Sequence, residues 1–128
     1  MVYYINKTIT AEFDKAIELV TEALKKEGFG VLTEIDMQQK LKEKLDVDFR
    51  KYKILGACNP AKALEALKQE DKIGTMLPCN VIVQEIGDNL VEVAAVDPAA
   101  SMMSVENMQL ASIAGDIKAK LEKVIASL

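Results

Sequence analysis

The chain of 128 residues is 50% apolar and 28% charged with a formal net charge of -4, a size and balance that suit one globular domain and exclude bulk disorder. That charge leaves no basic field for a polyanion, so nucleic acid is not an expected partner. Histidine is absent, which excludes a histidine-dependent serine or cysteine triad, a His-ligated zinc and a histidine proton shuttle within the chain.

Residues 2 to 8 are short, aromatic and β-branched and predict a first strand. The start, Met1 to Lys7, has neither a basic leader nor a long apolar segment, and no run approaches the ~20 apolar residues of a membrane span. A cytoplasmic protein with no membrane partner is expected. Its two cysteines are then expected to be reduced thiols. Thr10 is a candidate cap for a helix over residues 11 to 27, with Glu12 and Asp14 at its positive end and Phe13, Ile17, Val20 and Leu24 on one face. Lys25, Lys26 and Gly28 form a helix C-terminus closed by a left-handed glycine.

From Phe29, alternation predicts a second strand with Phe29, Val31, Thr33 and Ile35 on one face. Asp36 caps a short charged helix through about Leu45. Tyr52, Ile54 and Gly56 form one face of a third strand that stops at Cys58, and Asn59-Pro60 opens a helix from about 60 to 70. Ala63, Leu64 and Leu67 are expected on that helix's buried side. Residues 71 to 79 read as a loop, Asn80 to Ile86 as a fourth strand, and Gly87-Asp88-Asn89 as the turn into a fifth from Leu90 to Val96. Asp97-Pro98 ends that strand, and a long helix starting near Ser104 or Val105 presents Leu110, Ile113, Ile117, Leu121, Val124 and Leu128. The order β-α-β-α-β-α-β-β-α, with a hairpin and half-apolar strands, predicts an α+β fold: two layers, a mainly antiparallel sheet and helices packed on one face.

The two cysteines each precede an asparagine, with Pro60 and Pro78 beside the pairs, where an apolar run breaks. Cys58 lies just before a helix N-terminus, where amides favour a thiolate, and Lys53 or Lys62 would add positive charge if turned inward. It equally fits a small buried hydrophobe ending a strand, and Cys79 has the same two readings. Antiparallel pairing would bring both to one end of the sheet, as a soft-metal pair, a reversible disulfide or the rim of a ligand pocket. Asp97 reads as a base beside the thiols or as an Asx turn, and Asn59 and Asn80 as ligand contacts or as a cap and a strand-entry residue. With no Cys-x-x-Cys spacing, Walker A loop or dinucleotide fingerprint, no metal or cofactor is expected. Met76, Met102 and Met103 suit packing better than copper ligation.

The phrases Gly56-Ala57-Cys58-Asn59-Pro60, Leu77-Pro78-Cys79-Asn80-Val81 and Val96-Asp97-Pro98, in that order and spacing, resemble the bacterial and archaeal family known as domain of unknown function 302. The resemblance covers nearly the whole chain and implies a two-layer α+β fold related to the TATA-binding-protein-like architecture, commonly assembled as a homodimer. It implies no reaction, and a fold relationship carries no DNA-binding function with it. The expected function is a cytoplasmic homodimeric module holding a small ligand at the Cys58/Cys79 end, with Cys58, Asn59, Cys79, Asn80 and Asp97 as site candidates. Two alternatives stay open: a thiol redox enzyme in which Cys58 is attacked and Cys79 resolves the product, and an interaction protein whose dimer surface is its function.

Overall fold

The period-two segments of the sequence pair into one antiparallel sheet in the computed structural model, which describes residues 2–128. Strands β1 (Tyr4–Thr10), β2 (Gly30–Asp36), β3 (Tyr52–Cys58), β4 (Cys79–Gly87) and β5 (Leu90–Val96) lie in the order β1-β5-β4-β3-β2. Helices α1 (Phe13–Lys26), α2 (Met37–Leu45), α3 (Pro60–Gln69), α4 (Pro98–Ser101) and α5 (Met108–Ala126) connect or follow them. The fold is α+β, in the element order that the sequence predicts.

Alternation along the central hairpin separates two faces. Val81, Val83, Val91 and Val93 are fully buried, whereas the intervening Ile82, Gln84, Glu92 and Ala94 stay half-buried. The buried set meets Val20 and Leu24 of α1 and Leu110, Leu121 and Val124 of α5, so both amphipathic helices cover the same side. Each such side chain contributes ~1.5–3 kcal/mol through removal from water. The opposite face carries no helix of this pair. Lys7 on β1 anchors the end of α5, its Nζ donating to the carbonyls of Ala126 and Leu128. No helix among the described residues is long and apolar enough to cross a membrane.

Local chemistry sets most boundaries. Asp36 accepts a hydrogen bond from the Gln39 amide at 3.0 Å, Asn59 accepts from the Lys62 amide at 3.3 Å, and Gly28 ends α1 at φ +85°. Other expectations are corrected. Thr10 does not cap α1, because it extends β1 opposite Leu90; the cap position is Glu12, whose side chain makes no capping bond. Residues 71–79 are not wholly loop: Asp71–Met76 form a 3₁₀ turn that buries Ile73, and β4 starts at Cys79. The final helix begins at Met108, since Asn107 accepts from the amides of Gln109 and Leu110, and a separate short α4 precedes it.

Two corrections concern faces. A bulge at Leu32 places Val31 opposite Ala57 but Thr33 opposite Gly56, so Thr33 and Ile35 change sides relative to Val31. On α3, Leu64 and Leu67 are 55% and 41% exposed and Ala66 is the buried residue. The helix lies against α5 and the 3₁₀ turn, and it approaches them through its small side chains.

Gly56 is required by this packing, since a Cβ there would stand 2.2 Å from Thr33 Oγ1 and 2.8 Å from Pro78 Cγ. Gly56→Ala is expected to destabilise the protein by ~1–3 kcal/mol, the usual penalty of overpacking, with partial recovery in a Thr33→Ala background. Urea midpoints of the two single variants and the double variant check this; an unshifted midpoint for Gly56→Ala contradicts the close approach.

Candidate functional site

Sheet register decides which candidate residues meet. Cys79 pairs with Ala57, and Cys58 pairs with Gly30 one step farther along β3. The β4–β5 ladder ends at Val81 opposite Ala95, so Cys79 and Asn80 lie just before that end on β4 and Asp97 follows β5 just past it. Cys58, Cys79, Asn80 and Asp97 therefore gather at one end of the sheet, with Asn59 capping α3 next to them. Both cysteines are free thiols.

Their surroundings are closed and mostly satisfied. The cavity bordered by Cys58, Cys79, Phe29, Asn59 and Pro78 has a volume of about 20 Å³, enough for about one water. Cys79 is only 5% exposed, and burial, aided by the nearby Cys58, pushes its thiol up to about 11. Lys53 does not supply charge to the thiols: Glu34 holds its ammonium at 2.8 Å. Lys62 is likewise held by Asp116 at 3.2 Å and Glu65 at 3.6 Å. Asp97 caps α4 through one oxygen, which accepts from the amides of Ala99 and Ala100, and its other oxygen binds Lys118 at 3.1 Å. These contacts are those of a local Asx cap. Asn80 differs from the rest of the set, being exposed on the uncovered face. Among the described residues no three His, Cys, Asp or Glu side chains stand together as metal ligands.

A concavity with a volume of about 430 Å³ lies on that uncovered face. Tyr3, Tyr4 and Tyr52 border it with Asn80, Gln84 and Glu92. These are all three tyrosines of the chain. Gln84 pairs across the ladders with both Tyr52 and Glu92, and Asn6 lies diagonal to Glu92, so the register aligns a polar row. Arg50 Nε donates to Gln84 Oε1 at 2.9 Å, Gln84 Nε2 donates to Glu92 Oε1 at 2.8 Å, and Asn6 Nδ2 donates to Glu92 Oε2 at 2.9 Å. Ile82 and Ala94 supply apolar floor, and the rings of Tyr3 and Tyr4 meet edge to face at 5.1 Å. A second hollow of about 390 Å³ beside α2 contains Lys42, which Asp46 and Asp48 already hold.

The groove was reachable from sequence only in part. Alternation of Asn80, Ile82 and Gln84 and of Glu92, Ala94 and Val96 marks one mixed face on each strand. Nothing in the sequence aligns Tyr3 and Tyr4 with Tyr52; the strand order does that.

Comparisons with known proteins agree with this architecture. The family described as domain of unknown function DUF302 matches residues 5–128. The crystal structure of an uncharacterized conserved DUF302 protein from Bacillus stearothermophilus is similar, with 28% identity, 98% of each chain covered and a TM-score of 0.90. No curated protein matches.

The raised Cys79 thiol gives a pH signature. Its ordinary value is 9.0 and its folded value about 11, so the folded state holds a proton that the unfolded state releases between them. The stability this contributes is complete below pH 9.0 and is lost as pH rises towards about 11. Relative to Cys79→Ala, the wild type is expected to lose ~2–3 kcal/mol over that window in urea unfolding. Below pH 9.0 native alkylation should reach Cys58 before Cys79; equal rates contradict the buried placement.

Proposed function

This chain belongs to the domain of unknown function DUF302 family, and we propose that it is a cytoplasmic small-ligand-binding module working through the uncovered face of its sheet. The observation that carries this reading is the groove of about 430 Å³, in the size range of small-molecule sites, where three aromatic rings and a carboxylate–amide row converge on a rigid ladder. A ligand would lie over Ile82 and Ala94 and be oriented by Asn80, Gln84 and Glu92. The cysteine end contributes Asn80 to this rim, while Cys79 belongs to the core. A thiol redox function gains little support, because burial keeps Cys79 protonated at neutral pH.

The chain has no tryptophan, so its intrinsic fluorescence comes from the three groove tyrosines alone. In a compound screen, molecules that raise the melting temperature are expected to change tyrosine emission, and Tyr52→Ala should weaken them at least ~10-fold. Stabilising compounds that leave both the emission and the Tyr52→Ala affinity unchanged would place the binding elsewhere.

A second reading, homodimerisation through the same face, is favoured by the row Ile35, Ile54, Ile82 and Ala94, which runs across four neighbouring strands. Five strands of about seven residues present roughly 24 by 23 Å, or about 1,100 Å² for two copies, just above the ~1,000 Å² of a specific interface. Sedimentation velocity should show a dimer at micromolar concentration that Ile54→Glu converts to monomer. A monomeric wild type ends this reading and leaves the groove untouched.

A further inference from the structure

Resting on the groove reading above, we infer that the ligand class is a small organic ammonium with an aromatic or aliphatic tail. Among the described residues Glu92 is the only carboxylate bordering the groove, and no lysine or arginine borders it. Its two oxygens accept from neutral amides, those of Asn6 and Gln84, and among the described residues no cation stands within ion-pair distance of it. Neutral donors orient a carboxylate without cancelling its charge, and each oxygen keeps a further lone pair for a cationic donor.

The surrounding groups favour the same charge. The π faces of Tyr3, Tyr4 and Tyr52 attract an ammonium, while Ile82, Ala94 and Val96 offer an apolar bed for its tail. An anionic ligand would meet Glu92 with no compensating cation in the lining among the described residues. Arg50 does not reverse this balance. Its Nε is committed to Gln84 and its guanidinium lies 4.3 Å over the Phe49 ring, outside the groove lining. The amide oxygen of Asn80 is a further acceptor at the rim.

Three probes of one shape test the charge preference: phenethylamine, phenethyl alcohol and phenylacetate, titrated into the intact chain and followed by backbone amide NMR shifts of β4 and β5. Phenethylamine is expected to bind at least ~10-fold tighter than the alcohol, with phenylacetate weakest. Glu92→Gln keeps the shape of the side chain and turns one acceptor into a donor, which a flip of the Asn6 amide accommodates, and it should remove most of the amine's advantage with a much smaller effect on the alcohol. Tyr52→Leu should weaken the amine more than the alcohol. Equal affinity of amine and alcohol, or preference for phenylacetate, overturns the ammonium class while the groove stands. Silence of the β4 and β5 amides towards all three probes overturns both class and groove.

Discussion

The alternate burial of valines in the β4–β5 hairpin is the constraint from which the other features follow. Val81, Val83, Val91 and Val93 are driven under α1 and α5, and a strand that buries one set of side chains must present the next set on the opposite side. Gln84 and Glu92 are therefore neighbours because the valines beside them are core. A one-residue slip would bury the carboxylate and expose the valines, so the energy that holds the core also fixes the polar row. The groove is thus positioned by side chains that never touch its contents.

The two ends of the candidate chemistry separate for the same reason. Cys79 sits on the valine side of β4 and Asn80 on the other, one residue apart in sequence and in different environments. Burial removes Cys79 from solvent and suppresses its thiolate, whereas Asn80 reaches the groove. The paired Cys-Asn phrases mark where strands begin and end. At the first, Asn59 starts a helix; at the second, Asn80 enters a ladder. Identical dipeptides serve different structural ends because the backbone that follows them differs.

Much of the fold was legible because its signals are local. Asp36 and Asn59 cap the helices they precede, Gly28 takes the left-handed conformation, and β5 spans Leu90–Val96 as its alternation indicates. Where the sequence misled, the deciding contact was distant or competed with another local signal. Thr10 has the chemistry of a cap but is claimed by pairing with Leu90. Leu64 and Leu67 have helical spacing, yet α3 packs through Ala66. The bulge at Leu32 breaks a regular alternation that nothing in the neighbouring residues interrupts. Of the candidate site, the placement of Cys58, Cys79 and Asp97 at one end of the sheet follows from strand ends, but the tyrosine groove depends on β1 joining the sheet beside β5, a pairing between segments 86 residues apart.

The bulge has a further effect at the margin of the sheet. β2 is an edge strand and, with β1, offers unpaired backbone groups that serve as a template for a continuing ladder. Irregular hydrogen bonding at Leu32 interrupts that template on the β2 margin. Strand addition is thereby discouraged at the β2 margin, so the sheet's open, partly apolar face lies beside an edge that is itself a poor template.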